Sequence, residues 1–154
     1  MIDRKDGRHL SGFLTLLLTL LWMGTLFILT CSKSLADLLF HFYIDFHVVA
    51  QPNWSSLLIF NPDDLQVPFY YVSKTGHFIG FGFLALLVSQ WTSGRRAFGF
   101  ALTYAILTEI LQLYFGRDGR LVDVGIDFLG IGLFLFLRHL WTAERKTGRQ
   151  SAQG

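Results

Sequence analysis

The sequence predicts an all-α, polytopic membrane protein with four transmembrane helices and an external interfacial segment between the first and second. Three observations carry that expectation. The chain is 52% hydrophobic and only 16% charged, too apolar for a soluble domain of 154 residues. Its apolar residues gather into four runs, 10–30, 75–91, 97–114 and 124–140, each near the ~20 residues that cross a hydrocarbon core. Basic residues precede the first run (Arg4, Lys5, Arg8), join the second to the third (Arg95, Arg96) and follow the fourth (Arg138, Arg145, Lys146, Arg149). With four spans, all three clusters fall on one side, and Lys33, Arg117 and Arg120 are the exceptions on the other. The positive-inside rule makes that side the cytoplasm, with both termini inside.

The first run follows a basic segment, as a secretory signal does, but its length suits a spanning helix over a shorter signal core. Thr30 just before Cys31 makes a poor lipoprotein cleavage box, so an uncleaved span is expected and cleavage or lipidation is the lesser alternative. Residues 35–46 are aromatic and apolar with few charges, which suits a helix lying on the outer interface. A rival reading makes 35–50 a spanning helix and reverses everything downstream. Pro52, Pro62 and Pro68 break up the rest of the external connection. The second, third and fourth runs complete a single transmembrane domain over 1–142, and the polar residues 143–154 are expected to form a disordered cytoplasmic tail. One cysteine excludes an intrachain disulfide and a multi-cysteine metal site. Nothing has the form of a Walker loop, a dinucleotide fingerprint or a basic nucleic-acid patch, so neither a cofactor nor a nucleic-acid partner is expected.

Seven polar residues sit in or beside these runs: Lys74, His77, Glu109, Gln112, Arg117, Asp123 and Asp127. Ionisable groups in hydrocarbon are costly unless paired, hydrated or useful. Counted at the helical rise from the basic anchors, Asp127 lies ~16 Å above Arg138, Glu109 ~20 Å above Arg96 and His77 ~27 Å above Arg95, all in the outer half of a ~30 Å core. Lys74/His77 and Glu109/Gln112 are spaced i,i+3 and Asp123/Asp127 i,i+4, so each pair projects from one helix face. Those faces should turn inward, helped by small residues at Gly76, Gly80, Gly82, Gly125, Gly130 and Gly132. The short connection 116–122 makes the third and fourth helices antiparallel neighbours. The expected result is a polar pocket open to the outside.

The pieces Lys74-Thr75-Gly76-His77-Phe78, Glu109-Ile110-Leu111-Gln112 and Gly116-Arg117, continuing through Asp123 and Asp127 to Gly130, together resemble the VanZ-like family of small bacterial membrane proteins, over roughly residues 10–140. Asp127 stands where many members carry Asn. The resemblance implies a multi-helix membrane fold and, through the family's founding member, tolerance of teicoplanin-type glycopeptide antibiotics. It brings no established reaction.

Three functions fit these residues. In the first, the pocket binds or remodels an anionic cell-envelope component, with Lys74 and Arg117 holding a headgroup and Glu109, Gln112, Asp123, Asp127 and His77 shaping the site. In the second, His77 with Glu109 or Asp123 performs acid–base catalysis on a lipid-linked substrate, while Arg117 and Arg120 clamp phosphate. In the third, ranked last, the chain is a small proton-coupled transporter. The structural alternative is simple pairing of the carboxylates with Lys74 and Arg117, with His77 a packing residue. A His/Asp/Glu metal site is chemically feasible, but helical spacing alone does not select one and none is expected. Membrane lipids are the expected surroundings, and a homo-oligomer is compatible with the chain.

Overall fold

The computed structural model describes residues 4–59, 62 and 66–151, and among them the chain is all-helical with no strand. The order is α1 (Arg4–Cys31), α2 (Leu35–His41), a 3₁₀ turn at Trp54–Leu58, α3 (Pro68–Val88), α4 (Gly94–Tyr114) and α5 (Leu121–Ser151). Three helical segments are long and apolar enough to cross a membrane: Leu10–Cys31, Phe69–Val88 and Gly94–Tyr114. The α5 helix carries the fourth apolar run, in which Asp127 is the one charge between Val124 and Leu137. It continues as helix past residue 142 to Ser151, where Ala143, Glu144 and Arg145 are strong helix formers. The side chains of Arg4, Lys5, Arg8, Lys146 and Arg149, and residues 152–154, lie outside the described residues.

Polar groups on the helices are satisfied within the helix or by a neighbouring one, as a hydrocarbon setting requires. Along α1 the hydroxyls of Thr15, Thr19, Thr25 and Thr30 donate to carbonyls four residues back, at 2.8–3.0 Å. The outward faces of α1 are leucine-rich and exposed. Two long-range bonds pin its inner face: Trp22 Nε1 donates to the Gly80 carbonyl at 2.9 Å, and Tyr104 Oη to the Met23 carbonyl at 2.7 Å.

The tightest packing is between α3 and α5. A Cβ at Gly130 would strike the backbone carbonyl of Phe78, and one at Gly82 would meet the Phe134 ring at 2.6 Å. Gly80 allows Leu26 of α1 to approach. Gly76, Gly125 and Gly132, in contrast, face open space and make no close approach. On α4, Ala97, Ala101 and Ala105 form a fully buried stripe at four-residue spacing. With Leu26, Phe81, Leu84, Ala85, Val88 and Ile131 they make the apolar core. In a membrane such a core gains little from leaving lipid, so close van der Waals packing holds it.

The external connection departs from expectation. Helix forms only over Leu35–His41, N-capped by Ser34, whose side chain accepts from the Asp37 N–H. Phe42 ends it in the left-handed conformation (φ 53°), and the backbone beyond is irregular up to the 3₁₀ turn. The expected interfacial helix over 35–46 is therefore shorter. Its far end is instead pinned to the bundle, through Lys33 N–H to the Asp45 carbonyl and Val49 N–H to the Tyr114 carbonyl. The α3 helix begins at Pro68, seven residues before the expected span, because Pro at the first helical position starts a helix as readily as it breaks one.

Candidate functional site

The turn after α4 builds one wall of the site. Gly116 takes φ +65° just past the helix, and the Arg117 N–H bonds back to the Gln112 carbonyl at 2.9 Å, a Schellman-type stop. Gly119 then lies against the Glu109 backbone, where a Cβ would clash with the carbonyl. This close fold-back brings the Arg120 N–H to Glu109 Oε2 at 2.7 Å.

Six of the seven expected residues meet there. Lys74 Nζ of α3 pairs with Asp123 Oδ1 of α5 at 2.5 Å. One turn deeper, His77 Nδ1 lies 3.1 and 3.3 Å from the two oxygens of Asp127. The same nitrogen is 3.7 Å from Glu109 Oε1, which accepts a bond from Gln112 Nε2 at 2.8 Å. His77, Glu109, Gln112, Asp123 and Asp127 are all buried. The imidazole stacks on Phe81, with ring centroids 5.8 Å apart. Three carboxyl groups thus face one ammonium and one imidazole, one acidic group more than the cluster has basic partners.

The pairing differs in two ways from expectation. The partner of His77 is Asp127, with Glu109 second, and Asp123 belongs to Lys74. Arg117 pairs with no carboxylate in this cluster among the described residues. Its Nη1 donates to the carbonyls of Thr30 and Ser32, each at 2.8 Å, and to that of Leu29 at 3.4 Å, capping the C-terminal end of α1 where orphan carbonyls collect. Burial pulls its pKa below the ordinary guanidinium value, against the opposing influence of Cys31, Glu109 and Asp123.

The cluster opens on a cavity of about 460 Å³. Lys33, Lys74, Arg117 and Arg120 bring four cations to its wall, against Asp118 and Asp123. Sequence reasoning did not single out two other lining residues. Tyr70 holds the Lys74 ammonium over its ring, 4.7 Å from the centroid, and Ser73 lies beside it on the same helix. The spacing from Tyr70 to Lys74 is i,i+4, a signal that could have found the first.

A metal could be held by His77, Glu109 and Asp123, whose ligand atoms lie within 4.8 Å of one another. A mixed imidazole and carboxylate set suits a divalent transition ion. Against it, Lys74 already supplies Asp123 with its counter-charge, and Glu109 is committed to Gln112 and the Arg120 N–H.

At the opposite end of the bundle, Arg138 Nη2 donates to the Ser89 carbonyl at the end of α3, near the exposed Arg95 and Arg96 of the next helix start. The apolar core lies between that basic end and the polar cluster.

The VanZ/LLP1 family model matches residues 13–142 of the chain. The uncharacterized membrane protein YwnJ of Bacillus subtilis strain 168 is 35% identical over 114 residues, which is 73% of this chain and 81% of that protein. No solved structure matches. Apolar helices that fit a bilayer, a polar cluster built from the three motif segments, and a family match covering both make this chain a membrane protein of the VanZ/LLP1 family.

Proposed function

We propose that α1, α3, α4 and α5 cross a bacterial cytoplasmic membrane with both termini inside, and that the chamber faces outward. There it binds an anionic cell-envelope component and lowers susceptibility to glycopeptide-type antibiotics. The orientation rests on the excess of basic residues in the three segments assigned to the cytoplasmic side, nine against the four (Lys33, Lys74, Arg117 and Arg120) at the chamber. The observation that carries the binding reading is the chamber wall: Lys33, Lys74, Arg117 and Arg120 outnumber Asp118 and Asp123, so the cavity favours negative charge. A guanidinium or ammonium there can meet phosphate or carboxylate oxygens with charge-assisted bonds. The test is to express the chain in a glycopeptide-susceptible bacterium and compare it with a Lys33→Glu/Arg120→Glu variant. That variant reverses wall charge while keeping the Arg120 N–H on Glu109. Raised tolerance with the native chain, lost in the variant at equal protein level, is the expected result. Equal tolerance in both would contradict the binding role.

A second reading, acid–base chemistry on a lipid-linked substrate, has its own support. Asp127 holds His77 Nδ1, an arrangement that fixes ring orientation and tautomer, and Glu109 is the adjacent carboxyl. Under it, His77→Gln and Glu109→Gln abolish function while the protein still inserts. Retention of function excludes it and leaves binding in place. Proton-coupled transport lacks comparable support, because Phe81, Leu84, Val88, Ile131 and the α4 alanines fill the path toward the basic end.

A further inference from the structure

Beside the chamber lies a second cavity of quite different chemistry. About 190 Å³ in volume, it is walled by Leu26 and Leu29 of α1, Leu39 of α2, and Val72, Gly76 and Phe81 of α3. It shares Leu35, Ser73, His77 and Arg117 with the polar chamber, so the two adjoin. Among the described residues, Arg117 is its one Lys or Arg, and no carboxylate lines it. Leu39 and Val72 on its rim are 43% and 48% exposed, so the cleft opens on the flank of the bundle. At Gly76 an added Cβ would meet nothing within 4 Å, leaving a gap in the α3 surface at that opening.

We infer that the chamber takes a membrane-resident amphiphile, an anionic phosphate-type head on a hydrocarbon chain, which slides in sideways so that the tail lies in this cleft. The inference rests on the proposed binding of an anion in the chamber and names its class. A hydrocarbon tail gains nothing by exchanging lipid for leucine side chains. The value of the cleft is therefore admission. The head reaches Lys74 and Arg117 while the tail never leaves apolar surroundings, whereas a chamber without such a slot would force the chain through water or past polar walls. Charge on one side and hydrocarbon on the other, joined at Leu35, Ser73, His77 and Arg117, complement a ligand of that shape.

The experiment uses the full chain in phosphatidylcholine nanodiscs, with dodecyl phosphate and tailless methyl phosphate as probes, and binding read by native mass spectrometry. Gly76→Leu is the main variant, since a Cβ at this cleft-lining position meets nothing within 4 Å and leucine favours helix over glycine. Leu39→Trp narrows the slot from the opposite wall. The native chain is expected to prefer dodecyl phosphate at least tenfold, and both variants to bring that preference down to the level of methyl phosphate. Equal binding of the two probes by the native chain, or a preference that both variants leave intact, overturns this inference alone and leaves the anion chamber standing. Failure of the native chain to bind either probe overturns both.

Discussion

At the residue scale, the site is a set of buried groups that tolerate burial because each has a partner. Lys74 and Asp123 show the logic most simply. Both are largely removed from solvent, and stripping one partner leaves an uncompensated buried charge, a change that costs roughly 3–5 kcal/mol. Lys74→Met is expected to destabilise by about that much in detergent unfolding, and Lys74→Met/Asp123→Leu to recover most of it. Equal destabilisation by the single and double variants would contradict the pairing. The identity of the polar residues was legible from their placement in hydrocarbon-length runs. Their partners were not. Asp123 and Asp127 share a face one turn apart, so spacing gives no choice between them for His77. That choice is made by height along α3. The depth count from Arg95 overshot for a related reason: Arg95 lies beyond the turn that ends α3. Measured from Ser89, which Arg138 contacts, His77 is ~18 Å up, close to the ~16 Å of Asp127.

At the scale of elements, close approach and capping set the geometry. The α3–α5 crossing depends on Gly130, where any Cβ meets the Phe78 carbonyl. Gly130→Ala is expected to destabilise by about 1–3 kcal/mol, the range for forcing backbone shifts in a packed core, whereas Gly132→Ala, facing open space, is expected to be neutral or mildly stabilising. Similar melting of the two variants would contradict the crossing described. Arg117 ties the end of α1 to the α4–α5 turn, and Cys31 beneath it is 0% exposed. Cys31 is therefore expected to resist maleimide in the native chain, and Arg117→Met to raise its labelling rate at least tenfold. Slow labelling in both would show that Arg117 is not what shields it. None of this capping could be seen in the sequence, because it follows from the left-handed Gly116 and the path of the chain after it. The early start of α3 was missed because Pro68 reads first as a breaker, although proline is also a first-turn residue. Nor was the short α2 legible: Phe42 adopts a left-handed conformation that its own side chain disfavours.

For the whole molecule, an apolar core separates a basic end from the buried polar cluster, and the chamber is cut into the end that holds the cluster. The hydrocarbon-length runs, the polar residues within them and the placement of arginines made most of that asymmetry readable, because the bilayer constrains each of them separately. Cavity shape depends on how five helices and an irregular external segment pack together, and no linear pattern encodes it. Outward orientation and anion binding meet at one residue, Ser73, on the wall common to both cavities. In a Cys31→Ser background, a Ser73→Cys variant can be labelled on intact cells by a membrane-impermeant maleimide, with and without methyl phosphate. Labelling from outside that methyl phosphate slows is the expected result. Labelling only in inverted vesicles, or at a rate indifferent to the anion, would contradict an outward chamber that binds negative charge.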